Sequence, residues 1–392
     1  MKRKRYCIFS AQYFPHLGGV ERYTYNLSKR LLERGNEVIV VTSNVARLKS
    51  YEIVDGIPVF RLPCIDLLDG RYPVLKLTKE FFCIHEILFQ KQFDMIIVNT
   101  RFYLHSLYGM IFAKMKRVKC ITIEHGTSHL SVHSRLWDFL GGVYEHCLTK
   151  VGQLFCQDYY GVSEACNQWL QHFHIKAKGV LYNSIDLNEV ELLKRNTEKC
   201  FRKKYNVPDD AIVITFTGRL LKEKGILILL NVLEQLHKKY ANLYLFIAGD
   251  GDLEEEIEKR RTDYIIPLGR IEFKDIITLL TETDIFCLPS FSEGFSTSLL
   301  EAAACRCYII TTARGGAREL LINQDYGTVI PDNNEATLYE AFKQVLEETE
   351  KRKKAVQLTY NRLSANFTWD IVEKQVEIIC ESKGKKTVRK EK

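Results

Sequence analysis

Residues 284–312 read DIFCLPSFSEGFSTSLLEAAACRCYIITT, and this stretch decides the fold. Asp284 to Leu288 is a short apolar strand stopped by Pro289, Leu299 to Cys305 a helix, and Tyr308 to Thr312 a second apolar strand. Strands that are apolar throughout, rather than alternating, predict parallel pairing with both faces covered. Ligands of such sheets collect at the carboxyl ends of the strands, which places Glu293 on a crevice loop ahead of the helix.

The same rhythm extends in both directions. Upstream lie Ala211 to Phe216, an amphipathic helix from Gly225 to Tyr240, and strands Leu243 to Ala248 and Tyr264 to Leu268. Earlier still come Tyr6 to Ser10, a loop to Gly19, and a helix with Val20, Tyr23, Leu27 and Leu31 on one face and Gly35 at its end. Glu37 to Thr42, Met95 to Val98 and Cys120 to His125 complete the first set of strands. The prediction is an α/β chain of two doubly wound, Rossmann-like domains facing across a cleft. They span residues 1–185 and 186–365, followed by an amphipathic helix in 366–382 and a basic tail in 383–392. Length agrees, since 392 residues exceed the ~250–300 at which a single core stops growing.

Composition excludes several classes. At 46% hydrophobic and 27% charged the chain is neither disordered nor fibrous. No apolar run approaches the ~18–20 residues that span a bilayer; Gly225 to Leu230 is broken by Asn231. Net charge is +7, but the first fifty residues carry ten Lys/Arg against three Glu, and residues 383–392 carry six against one. An excess confined to the ends disfavours nucleic acid, which calls for a basic folded face with interleaved aromatics. Solvated termini or attraction to an anionic membrane surface are the two readings. The twelve cysteines form no C-x-x-C pair and suit a reducing cytosol. Tyr6 to Ala11 is too short to be the apolar part of an export signal, so a cytoplasmic protein is expected.

Four places could carry chemistry. Glu293-Gly294-Phe295-Ser296 and Glu301 join a strand to a helix, where two carboxylates could bind the hydroxyls of one polyol and free N–H groups an anion. The competing reading of Glu301 is a capping box with Ser298. Gly218-Arg219-Leu-Leu-Lys-Glu-Lys224-Gly225 offers a planar fork and a point charge to phosphate oxygens, and is not a P-loop; alone it could be a solvated turn. Gly18-Gly19 opens the first helix, and His125 follows a strand, where a hydrogen-bonded structural histidine is the plainer reading. Gly249-Asp250-Gly251 lacks the third glycine of a dinucleotide fingerprint.

In this order the motifs resemble family 4 of the retaining glycosyltransferases, of GT-B architecture. The resemblance covers nearly the whole chain: Gly18-Gly19-Val20-Glu21-Arg22, Val162-Ser163-Glu164, Tyr182-Asn183-Ser184-Ile185-Asp186, Gly218-Arg219…Lys224-Gly225, Ala248-Gly249-Asp250-Gly251 and Glu293-Gly294-Phe295…Glu301. Asp252 stands where the family often has proline, and Ser296 where glycine is frequent. The resemblance implies a nucleoside-diphosphate sugar donor, with Arg219, Lys224 and Gly19 (beside Gly18) at the pyrophosphate, and Glu301 on the ribose. It also implies Glu293 and the backbone of Gly294, Phe295 and Ser296 on the transferred sugar, His125 near its reacting face, and Arg270 and Ile271 by the base. It further implies that the last helix crosses back onto the N-terminal domain, that no cofactor or metal is needed, and that a uridine-diphosphate hexose is the donor. Capsule or O-antigen assembly on a polyprenyl-diphosphate-linked glycan is the pathway expected. Two rival readings are a GT-B-type sugar-nucleotide epimerase and a non-catalytic partner of another transferase.

The stretch His129 to Lys150 mixes Leu130, Val132, Leu136, Trp137, Phe139, Leu140, Val143 and Tyr144 with Arg135. It could seat at the headgroups of a membrane, as a peripheral protein on the inner face does, or be a core helix. Gly141-Gly142 is expected to interrupt any long helix there.

Overall fold

The computed structural model describes residues 3–16, 18–67, 72–129, 134–196 and 200–382. The chain divides into two compact units, Met1–Tyr182 with Trp369–Lys392, and Asn183–Thr368. The tail 383–392, Lys2, Leu130 and Val132 lie outside the described residues.

The first unit contains strands β1 (Arg5–Ser10), β2 (Glu37–Ser43), β3 (Tyr51–Val54), β4 (Ile57–Leu62), β5 (Cys64–Leu67), β6 (Tyr72–Leu75), β7 (Met95–Asn99), β8 (Lys119–Glu124) and β9 (Tyr159–Gly161). Seven build one sheet in the order β3-β4-β2-β1-β7-β8-β9, parallel except for the antiparallel edge pair β3 and β4, while β5 and β6 pair separately. Every residue of β7 is buried, as are five of six in β1, so both faces of the sheet are covered. Phe9, Phe60, Phe81, Ile96, Val98 and Phe112 pack one core cluster.

The second unit contains β10 (Ile212–Thr217), β11 (Leu243–Ala248), β12 (Ile265–Gly269), β13 (Ile285–Leu288), β14 (Tyr308–Thr312) and β15 (Thr328–Ile330). All are parallel, in the order β12-β11-β10-β13-β14-β15. Numbered within the unit this is 3-2-1-4-5-6, the dinucleotide-binding order, and it reverses between β10 and β13. In the first unit the reversal falls between β1 and β7. The loops after these four strands are where the ligand of each unit is expected.

The helix Gly19–Glu33 buries Tyr23, Leu27 and Leu31, leaves Val20 half-buried, and is followed by Gly35 at φ +84°. The final helix, Trp369–Glu381, packs against it: the Trp369 ring meets Tyr23 edge-on at 5.0 Å, and Arg34 bonds Asp370 at 3.0 Å.

One expectation needs correction. One helix runs unbroken from Arg135 to Gly152, through Gly141-Gly142. Two glycines cost about 1 kcal/mol each in a helix interior, less than the anchoring by buried Glu145, Leu148 and Thr149 in its second half can offset. The N-terminal cations Arg3, Lys4 and Arg5 each face a carboxylate. Arg3 faces Glu37 at 3.2 Å, Lys4 faces Glu381 at 3.5 Å and Arg5 faces Asp94 at 3.6 Å, in pairs open to solvent. No helix among the described residues is long and apolar enough to cross a membrane.

Candidate functional site

In the second unit, the loops after β10 and β13 leave adjacent strands and are joined to each other. The Phe291 amide donates to the Glu223 carbonyl at 2.7 Å, and Ser290 Oγ donates to the same oxygen at 3.1 Å. Lys222–Lys224 forms a single 3₁₀ turn that ends on Gly225 at φ +72°, where a Cβ would overlap the Pro289 carbonyl oxygen. Only glycine fits there in conformation and in space. The junction brings Lys224 Nζ to 2.6 Å from Glu293 Oε1, with both side chains more than four-fifths buried. A short, largely desolvated ion pair is strong, and either partner left alone is costly.

The Glu293 loop is held from its other side. Gly315, at φ +53°, lies so close that a Cβ would overlap the Gly294 carbonyl, and the Gly316 amide donates to that carbonyl at 3.0 Å. Asn183 Nδ2 donates to the Phe295 carbonyl at 2.8 Å, and the Phe295 ring packs edge-on against Phe367 at 5.3 Å. Helix Thr297–Ala304 follows with Ser296 at its N-cap. Ser296 Oγ contacts Ser298 Oγ at 2.8 Å and no side chain caps the backbone, so the Ser298–Glu301 capping box does not form. The N-terminal amides of this helix point their partial positive charge toward the loop. Glu301, 6% exposed, sits within the helix.

Arg219 is exposed on the loop after Gly218. Arg270 lies beyond β12, exposed, with its nearest carboxylate contact Asp250 at 3.6 Å. Ile271 packs on the core cluster that holds Val213, Phe246 and Ile266.

In the first unit, Gly18 precedes the opening helix and Gly19 begins it. Glu21, 5% exposed, accepts from His16 Nδ1 at 3.3 Å when that ring is protonated. His125, half-buried beyond β8, has its Nε2 3.0 Å from Asn99 Oδ1. Thr24 Oγ1 donates to the Val20 carbonyl at 2.8 Å and so accepts from Asn99 Nδ2 at 2.8 Å. That fixes the amide, and with it the His125 tautomer: the proton is on Nε2 and Nδ1 carries the lone pair. Burial pushes the pKa of His125 down to about 3, so the ring is neutral at physiological pH. The ring is thus anchored through Nε2 and presents Nδ1 as an acceptor.

Arg101, unmarked in the sequence beyond its position shortly after β7, organises this end of the sheet. It is 1% exposed, bonds Glu124 and Glu145 at 3.0 Å each, and lies 3.7 Å over the Phe173 ring. Glu124 in turn accepts from the amides of His125 and Gly126 at 3.1 and 3.0 Å, which fixes the loop carrying His125.

Two parallel-sheet units of this kind in one chain, the second with a lysine–carboxylate pair at its topological switch point, define the GT-B class of fold. Residues 17–189 match the family described as Glycosyltransferase Family 4, and residues 197–362 match Glycosyl transferases group 1. The two matches fall largely one in each compact unit. An uncharacterized glycosyltransferase of Methanocaldococcus jannaschii is 26% identical over 94% of this chain and 96% of its own length. One component of the human phosphatidylinositol N-acetylglucosaminyltransferase is 26% identical over 80% of this chain and 63% of its own. Among solved structures, Anabaena HepE in complex with UDP-glucose superposes with a TM-score of 0.73 at 18% identity, covering 96% of this chain and 99% of that one. WaaG, a glycosyltransferase involved in lipopolysaccharide biosynthesis, gives 0.68 at 15% identity, covering 96% and 100%.

Proposed function

We propose that this chain is a retaining hexosyltransferase that moves a sugar from a uridine-diphosphate donor to a lipid-linked glycan, without a metal ion in the step. The observation that carries the reading is the Lys224–Glu293 pair between the two switch-point loops of a dinucleotide-type sheet. In the free chain the two charges compensate each other. A diphosphate approaching Lys224 would share its charge, leaving Glu293 to accept hydrogen bonds from sugar hydroxyls. Arg219, exposed on the same loop, would meet the second phosphate, and Glu301, buried in the helix that follows, would be the ribose partner.

In the reaction the bond between sugar C1 and the β-phosphate oxygen breaks, its electron pair leaving on that oxygen. The acceptor oxygen bonds C1 on the same face, and its proton passes to the departing phosphate. Negative charge grows on the leaving group, so fixed cations and helix N-terminal amides aimed at it favour the transition state over the ground state. His125, neutral, would contribute polar contact near the sugar rather than charge. The complexes of HepE with UDP and with UDP-glucose support a uridine donor.

A lipid-linked acceptor is supported by the helix Arg135–Gly152. Leu136, Trp137 and Phe139 are each about two-thirds exposed, at 65%, 64% and 68%, beside half-exposed Leu140 and Val143. An apolar face with a tryptophan and a flanking arginine suits the headgroup region of a bilayer without spanning it. The names of WaaG and of the human relative, which concern lipopolysaccharide and phosphatidylinositol, point the same way.

The test is a thermal-shift screen of nucleotide sugars followed by detection of nucleoside diphosphate release. A ligand at ~100 times its Kd adds ~2.7 kcal/mol of stability. Stabilisation by a uridine-diphosphate hexose with slow diphosphate release is expected. A response to none of the nucleotide sugars would refute a donor-binding enzyme.

A further inference from the structure

Three histidines from three separate segments of the first unit converge at its surface: His129 beyond β8, His146 in the helix Arg135–Gly152, and His172 at the end of the helix Glu164–Gln171. Each can present one ring nitrogen such that all three lie within 4.8 Å of one another, and His146 Nε2 is 3.0 Å from His172 Nε2. We propose that these residues bind a zinc ion, with His129, His146 and His172 as its protein ligands and water in the fourth position. This site shares no residue with the donor-binding reading above, and its test does not depend on that reading.

The geometry fits the ion. Zinc–nitrogen bonds of ~2.0–2.1 Å in a tetrahedron put ligand nitrogens about 3.3 Å apart, between the shortest approach here and the longest. Closing the longest needs a small rotation of side chains, two of which are exposed. Two imidazoles facing each other through Nε2 share one hydrogen at present. A metal replaces that contact with two bonds once both rings carry their hydrogen on Nδ1, and neutral imidazole is the ligand that zinc takes from histidine.

The surroundings are those of a supported site. His129 Nδ1 lies 2.9 Å from Glu145 Oε2, a carboxylate 3% exposed and itself held by Arg101. That contact places the His129 hydrogen on Nδ1 and frees Nε2 for a metal, the carboxylate–histidine arrangement that orients zinc ligands and raises their basicity. Trp169 stacks on the His172 ring at 4.9 Å with planes 10° apart, and Phe173 lies 4.6 Å from the His146 ring, so two ligands are oriented by aromatic packing. The competing explanation is a surface aromatic cluster in which the histidines serve only as flat rings. It accounts for the packing, but not for a buried carboxylate aimed at Nδ1 of one ring while two others turn their Nε2 atoms together.

The experiment uses the full chain without an affinity tag, stripped of metal, titrated with zinc by calorimetry and with cobalt by absorption. Expected are one zinc per chain and a four-coordinate cobalt spectrum with no thiolate charge-transfer band, since the exposed cysteines, Cys147 among them, are the alternative ligands. H146A and H172N, both at exposed positions, should each weaken zinc at least ~10-fold. E145Q should weaken it ~10–100-fold, as loss of a carboxylate behind a ligating histidine does. Absence of stoichiometric binding, a sulfur band in the cobalt spectrum, or unchanged affinity in both H146A and H172N overturns the proposal. Because H172N changes an exposed side chain, its result stands even where E145Q fails to fold.

Discussion

Removing the Arg101 guanidinium should be among the most destabilising single changes in the first unit. Arg101, Glu124 and Glu145 are 1%, 0% and 3% exposed, and the arginine bonds both carboxylates at 3.0 Å. Arg101→Ala leaves two carboxylates in a site that excludes water, and breaking a buried pair by deleting one partner costs about 3–5 kcal/mol. The contact over Phe173 at 3.7 Å adds about 1–2 kcal/mol when desolvated. His129 beside Glu145 and the amides on Glu124 relieve part of the loss, so about 3–5 kcal/mol is the net expectation. That is two to three and a half powers of ten in the folded ratio. Arg101→Lys should recover only part, because one ammonium cannot span two carboxylates as a planar fork does. The assay is urea unfolding followed by fluorescence of Trp169, near the cluster. A triple variant, Arg101→Met with Glu124→Gln and Glu145→Gln, should regain most of the stability, since it removes the stranded charges. A loss below 1 kcal/mol in Arg101→Ala would refute the reasoning.

Arg219→Ala and Lys224→Ala should each lower turnover ~100-fold or more, about 2.7 kcal/mol of transition-state stabilisation, and full activity in both folded variants would remove the phosphate role. Turnover should survive exhaustive chelation; complete loss restored by magnesium or manganese would contradict a metal-free step. Vesicles of anionic lipid should co-sediment the chain at low salt, and Trp137→Ala should reduce this; no sedimentation at low salt would favour a water-soluble acceptor. His105 is fully buried between Ser43 Oγ and the Val41 carbonyl, and burial pushes its pKa down to about 4. Its folded value lies below the unfolded ~6.5, so its contribution is present above pH ~6.5 and is lost as pH falls toward 4, by up to about 3 kcal/mol. Urea unfolding at pH 7 and 4.5 should show that loss, and His105→Gln should flatten it; an equal slope in both proteins would refute the assignment.

Residues 284–312 were legible because their strands are apolar throughout, and β13, the helix after it and β14 lie within two residues of the sequence reading. The edge was not. β3 alternates partly exposed residues, Tyr51 and Ile53 outward, and β9 has three residues, too few for a periodic signal. Gly141-Gly142 misled for the opposite reason, because helix propensity is local while the anchoring by Leu148 and Thr149 is tertiary.

The two switch points differ in the same way. Lys224 and Glu293 are 69 residues apart, yet each follows its strand within a few positions, so reading strand ends is enough to bring them together. The cluster around His125 is built differently. Arg101, Glu124, Glu145, His129 and His172 lie on five stretches of chain whose partners are chosen by packing, and none carries a motif. Arg101 looks like any surface arginine until Phe173 and two carboxylates enclose it. A buried cation of this kind constrains what surrounds it, since each carboxylate it holds must also satisfy its remaining lone pairs. Glu124 does so with the amides that carry His125, while Glu145 takes Arg101 and the ring of His129 on the same oxygen, Oε2. The backbone that presents one candidate site residue and the imidazole proposed to bind zinc are thus braced by a single guanidinium, so a defect at Arg101 should appear in both places at once.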